Sequence, residues 1–219
     1  EASFQHYRFV PVKLRNDAAA NSIQIAEFQL LHLGAAVPLA TATVTNPGGS
    51  TPLAEPVTNL TDGITTNKWL DFFRAPVVFS FTAPVTIDGY RFTTANDGTD
   101  RDPVRWLIEG SNDGSSWTLL DHRETDYATP TARGTSSGDI LLPATPAPYV
   151  KTWTGGASRN WDTASTNWDK GGEIPWLNGS TDVARFGSGT PASVTLAEGI
   201  SARVLDFTAG QICATVGPN

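Results

Sequence analysis

Hydrophobic positions along this chain alternate more often than they cluster. In Val77-Val78-Phe79-Ser80-Phe81-Thr82 the residues Val77, Phe79 and Phe81 fall on one face, as do Trp106 and Ile108 later, and then Ile140 and Leu142. A period of two marks a strand with one buried face, because successive side chains leave the pleat on opposite sides. No stretch keeps apolar residues at i, i+3, i+4 and i+7 for three turns. Residues 18–33 come nearest, but Ile23, Ile25, Phe28 and Leu30 fit strands at least as well. Four Asp-Gly pairs, starting at Asp62, Asp88, Asp97 and Asp113, predict tight turns in which glycine accepts positive φ. The prediction is an all-β chain.

Composition sharpens this picture. The 20 glycines and 15 prolines are spread along all 219 residues, so turns punctuate the whole length. A formal charge of −7 argues against nucleic acid and anionic membrane surfaces as partners, since both attract Lys/Arg stripes. No apolar run approaches the ~18–20 residues of a membrane span. The single cysteine, Cys213, excludes an internal disulfide framework and a cysteine-based zinc cage. The chain starts at Glu1, has no Met and shows no signal segment, so it reads as a mature form or an excised piece of a longer protein. Low Cys with abundant Thr, Gly, Asn and Trp suits a bacterial exported protein.

Texture changes near residue 149. Residues 141–149 read Leu-Leu-Pro-Ala-Thr-Pro-Ala-Pro-Tyr, and three prolines in six positions suit a short connector. The expected division is a first module, 1–149, and a smaller second one, 150–219. About 70 residues is marginal for an independent all-β core, so the second module is expected to need neighbours.

The densest motifs lie in 59–123: Asn59-Leu60-Thr61-Asp62-Gly63, Asn67-Lys68-Trp69, Arg101-Asp102-Pro103, and Gly110-Ser111-Asn112-Asp113-Gly114-Ser115-Ser116-Trp117. In this order they resemble the discoidin, or coagulation-factor type C, domains and their bacterial members, the family 32 carbohydrate-binding modules. The resemblance implies a jelly-roll β-sandwich that binds glycans without cleaving them, so no enzyme activity is expected. The last strand of those relatives, with its Ala-Glu element, has no counterpart after Leu142. Similar residues stand at the front, as Tyr7-Arg8-Phe9 and Ile25-Ala26-Glu27-Phe28. A circular permutation is therefore expected, and it requires Glu27 to meet the Asp62 loop.

Relatives often hold a structural calcium in that region. By motif, the ligands here are Asp62, Asn67 and Glu27, with carbonyls near Leu60 and Ile64; hard oxygens of this kind suit Ca2+. The competing reading has Asp62 merely closing a turn and Glu27 facing solvent. Ile64 stands where relatives often carry Asp or Asn, which removes a side-chain ligand but not a carbonyl.

Sugars present C–H faces and ring hydroxyls, so their sites join an aromatic platform to Arg, Asn, Asp or His partners. Loop residues of that kind are Phe73, Arg74, Asn96, Arg101, His122 and Tyr127. Trp69, Trp106 and Trp117 sit in strand-like contexts and read as core. Two roles fit Asp97, Arg101 and Asp102: a ligand contact or an ion-pair knot bracing a loop.

Beyond the connector, Trp153-Thr154-Gly155-Gly156, Asn160-Trp161-Asp162, Asn167-Trp168, Phe186, Val194-Thr195-Leu196 and Leu205-Asp206-Phe207-Thr208 resemble the autotransporter-associated β-strand repeat. The resemblance implies a short β-solenoid segment of an extracellular or bacterial cell-surface protein, relying on further domains of the parent chain. Trp161, Trp168 and Trp176 read as a cap on such a coil or as an exposed sugar platform. The leading functional expectation is a carbohydrate-binding module docking its parent onto glycans. The alternative is a structural spacer or adhesin segment without a sugar site. Gly134-Thr135-Ser136-Ser137-Gly138 matches a serine-hydrolase elbow only formally, because no buried strand and helix flank it. His6, His32 and His122 show no short metal-binding spacing.

Overall fold

The computed structural model describes residues 1–39, 42–144, 149–155, 158–165, 167–169, 173–174, 176, 182–187, 193–200, 202, 204–207 and 213–216. Pro146 and Pro148 of the connector, Gly156, Arg203 and Thr208 lie outside the described residues. The chain is all-β, as the alternation predicts, and the described residues include short 3-10 turns at Val57–Thr61 and Thr99–Arg101. It divides into two compact units, Glu1–Ser115 with Leu120–Pro146, and Ser116–Leu119 with Ala147–Asn219.

The strands up to the connector are β1 (Ala2–Leu14), β2 (Ile23–Ile25), β3 (Glu27–His32), β4 (Ala35–Ala36), β5 (Thr43–Thr45), β6 (Trp69–Asp71), β7 (Val77–Ile87), β8 (Gly89–Thr93), β9 (Pro103–Ser111), β10 (Thr118–His122) and β11 (Ile140–Leu141), all within the first unit except the first two residues of β10. One sheet runs β10-β9-β1-β7-β5, a second runs β11-β8-β3-β4, and β2 pairs with β6. The front-end strands are therefore interior: β1 lies between β9 and β7, and β3 between β8 and β4. Alternation explains the packing. Val77, Phe79 and Phe81 of β7 are buried while Val78 and Ser80 between them are half-exposed. Phe28 of β3 stacks on Phe79 of the other sheet at 5.2 Å between ring centroids and contacts Phe9 at 5.4 Å. Trp69 and Trp106 are fully buried and Trp117 nearly so, which makes all three core residues. The Trp106 indole N–H donates to the Tyr90 hydroxyl at 2.7 Å, and Tyr90 donates to Asp121 at 2.5 Å, so the polar tips of these two rings are satisfied.

One turn expectation is corrected. Gly63, Gly98 and Gly114 do take positive φ, but Gly89 does not. Asp88-Gly89 is the corner where the chain leaves β7 in one sheet and enters β8 in the other. Glycine is required there for closeness: a Cβ on Gly89 would meet the Ile140 carbonyl at 2.9 Å.

The second unit contains β12 (Tyr149–Trp153), β13 (Asn160–Trp161), β14 (Trp168–Asp169), β15 (Glu173–Ile174), β16 (Asp182–Phe186), β17 (Ser193–Leu196), β18 (Val204–Phe207) and β19 (Cys213–Val216). Strands β12, β16 and β18 pair in parallel, as do β13, β17 and β19. β14 and β15 instead pair antiparallel beside β12, and from β16 to β19 successive strands alternate between the two parallel ladders, as in a coil of β-rungs. Its core is aromatic: Trp153, Trp161, Trp168, Trp176 and Phe186 are all buried, with Trp168 and Trp176 at 4.7 Å between ring centroids. Burial removes the exposed-platform reading of Trp161, Trp168 and Trp176.

Candidate functional site

Two neighbourhoods of the first unit gather the chemistry. The first is built on β3 and the 3-10 turn Val57–Thr61. Asp62 follows that turn, with Gly63 at φ 79 directing the chain back toward β6. The Asp62 carboxylate accepts the Ile64 backbone N–H at 2.8 Å and the Asn67 amide N–H at 2.6 Å. Glu27 begins β3, is only 6% exposed, and has its carboxyl beside that of Asp62. Burial, and then the Asp62 hydrogen bond and charge, push the Glu27 carboxyl up to about 7, against a smaller opposing pull from the Ile64 and Gly63 N–H groups. For Asp62, burial acts upward, but the hydrogen bonds from Asn67 and Ile64 win and hold it below its usual range.

Glu27, Asp62 and Asn67 are therefore one cluster, assembled from positions far apart in sequence. Ile64 contributes its backbone to it, and Leu60 is buried inside the adjoining turn. Two oxygens, Oε1 of Glu27 and Oδ1 of Asn67, are buried without a hydrogen-bond partner among the described residues. Unpartnered buried oxygens are costly, and two of them beside a second carboxylate form a donor set of the hard-cation type.

The second neighbourhood is a cleft of about 400 Å³ lined by Ala19, Ala20, Asn21, Asp97, Gly98, Asp100 and Arg101. Its walls are braced from below. The fully buried Gln24 donates to the Asp97 and Gly98 carbonyls at 2.6 and 2.9 Å. Lys68, 4% exposed, donates to Asp97 at 2.6 Å. Burial raises the Asp97 pKa, yet the hydrogen bond and charge of Lys68 prevail, and the carboxyl sits below its usual range. Buried Asp102 accepts from Arg15 at 3.1 Å and from Arg133 at 2.6 Å. The knot thus has Asp102 at its centre, with Arg15 and Arg133 as its cations. Arg101 stands outside it, 3.9 Å from Asp97 and partly exposed to the cleft.

Phe73 is 71% exposed. Its turn is locked by buried Asp71, which accepts the N–H groups of Ser50 at 2.5 Å, Phe73 at 3.2 Å and Ala75 at 2.7 Å. Arg74 adopts φ 54 and donates to Asp17 and to the Ala20 carbonyl, both at 2.7 Å. Arg74 therefore ties the Phe73 turn to the cleft wall. Asn96 is exposed and donates to the Thr66 carbonyl at 2.8 Å. His122 is half-buried at the end of β10. The Tyr127 hydroxyl donates to the Ser137 carbonyl at 2.8 Å and its ring packs edge-on against Trp106. The polar cleft residue missed by sequence reasoning is Asn21, whereas Asp100 lies in the loop 96–101 already expected to hold binding groups; a polar side chain at a turn gives no local sign of facing a cavity.

Ser136 of the formal elbow forms a bridge with Thr93 at the end of β8, and the next element is β11. Comparison with known proteins adds little to this geometry. No family model and no solved structure matches the chain. A peptide-N(4)-(N-acetyl-beta-glucosaminyl)asparagine amidase of Arabidopsis thaliana is 38% identical over 66 residues, covering 27% of this chain and 9% of the amidase. The match thus spans about a tenth of that relative's length.

Proposed function

We propose that this chain is a non-catalytic carbohydrate-binding module of a larger exported bacterial protein, which it docks onto glycans. The observation that supports the reading is exposed Phe73, whose neighbour Arg74 donates to the Ala20 carbonyl in the wall of the cleft of Asn21, Asp97, Asp100 and Arg101. An aromatic face suits the C–H side of a pyranose, and carboxylate, amide and guanidinium groups suit its hydroxyls. The braced walls mean that little order has to be created on binding, which favours affinity. The name of the matched amidase refers to an N-acetylglucosaminyl-asparagine linkage, which supports a glycan setting and suggests N-acetylglucosamine-bearing glycans for the first panel.

The Glu27, Asp62 and Asn67 cluster is proposed to hold a structural Ca2+, because its unpartnered buried oxygens fit such an ion. The ion would tie the start of β3 to the Asp62 turn. Glu27 must give up its proton to bind it.

The test is a glycan array of plant, algal and mucin glycans, followed by calorimetry on the hits. Phe73→Ala and Asp100→Asn, with unchanged circular dichroism, are each expected to weaken binding at least tenfold. Silence across the array would instead favour the spacer reading. That reading has an observation of its own: Val204, Leu205 and Phe207 of β18 are each nearly half exposed, as at a rung awaiting a neighbour.

A further inference from the structure

We propose a second divalent-cation site, of the zinc class, formed by Glu1, His32 and Asp88 at the junction of the two sheets. It is separate from the Ca2+ centre and independent of the glycan reading. Glu27 opens β3 and His32 closes it, which puts the two centres on the order of 16 Å apart along the strand.

Topology explains why three such distant positions converge. Ala2 pairs with Ile87, so Glu1 and Asp88 are the next residues outward in the same antiparallel register. Leu31 pairs with Gly89, and the Asp88 N–H donates to the Leu31 carbonyl at 2.9 Å, which brings His32 to the same corner. One ligand atom from each residue lies within 4.8 Å of the other two.

Three further observations point to a cation. First, Nδ1 of His32 and Oδ1 of Asp88 are buried from solvent yet have no hydrogen-bond partner among the described residues. Second, among the described residues no ion pair neutralises Glu1 or Asp88, although two carboxylates this close repel each other. Third, the corner is already rigid, because the other Asp88 oxygen accepts the Leu33 N–H at 2.8 Å and holds Leu33 at φ 51. One imidazole nitrogen with two carboxylates is a zinc-type donor set; Ca2+ prefers oxygen throughout. Bound there, the ion would staple β1 and β7 of one sheet to β3 of the other.

The experiment titrates Zn2+ into the full chain by calorimetry, with Ca2+ present in excess to fill the Glu27 centre. One equivalent of Zn2+ is expected to bind and to raise Tm. His32→Ala and Asp88→Asn should weaken it at least tenfold, while His6→Ala, His122→Ala and Glu27→Gln leave it unchanged. Cadmium-113 resonance of the wild-type protein keeps the idea falsifiable should a variant fold poorly, since it must show a mixed nitrogen and oxygen shell. Absence of saturable Zn2+ binding by the wild type, an all-oxygen cadmium shell, or full affinity in a folded His32→Ala protein would overturn the assignment.

Discussion

Glu27 occupies a buried position where its proton and the proposed Ca2+ would compete. Its folded pKa near 7 stands above the unfolded value near 4.5, so the folded state binds the proton more tightly. That contribution is complete below about 4.5 and is lost as pH rises through 7. Asp62 acts in a lower window: its depressed pKa contributes stability above the ordinary aspartate value, lost as pH falls through the folded one. In chelator, the urea midpoint is expected to fall between pH 5 and 8, and Glu27→Gln should flatten that slope; an unchanged slope in the variant would show that another group titrates. Arg74 teaches a different lesson at this scale. It is one of the chain's loop arginines in sequence, but Asp17 and the Ala20 carbonyl occupy its guanidinium, so it positions the Phe73 turn. Neither partner is near it in sequence, and no local pattern announces them.

Between elements, the loop carrying Asp97, Asp100 and Arg101 owes its shape to Asp102. That carboxylate is fully buried and holds Arg15, just after β1, together with Arg133, from the segment before β11. Removing the acid leaves two partly exposed guanidinium groups without their shared carboxylate, which costs about 3 kcal/mol, the low end for a buried pair because water and carbonyls still reach both cations. Asp102→Ala should therefore lower stability by about that amount in urea unfolding, and should weaken any glycan bound in the cleft. A loss below about 1 kcal/mol would mean that water solvates the knot. The β7–β8 corner shows how an element boundary can be misread. Asp-Gly predicts a positive-φ turn, whereas here the missing Cβ matters because Ile140 passes so close.

For the molecule as a whole, a cation bound only by the folded chain adds its binding free energy to stability. Ca2+ at one hundred times its Kd should add about 2.7 kcal/mol and raise Tm, and Glu27→Gln or Asp62→Asn should abolish that gain. Equal Tm values with and without Ca2+ would reject the centre. The all-β class, the burial of Trp69, Trp106 and Trp117 and the strands holding Ile23, Ile25 and Val77 to Phe81 were legible directly, because alternation and turn chemistry act over a few neighbouring residues. Glu27, Asp62 and Asn67, which the motif resemblance groups, also lie together in the fold. Tertiary structure alone decided that the Trp161, Trp168 and Trp176 rings turn inward, that Arg74 is a brace, and that Asn21 and Asp100 face a cleft. It also brought Glu1, His32 and Asp88 to one corner. The physical reason is range: a strand's faces follow from its own residues, but which strand pairs beside it, and in what register, depends on burying the core as a whole.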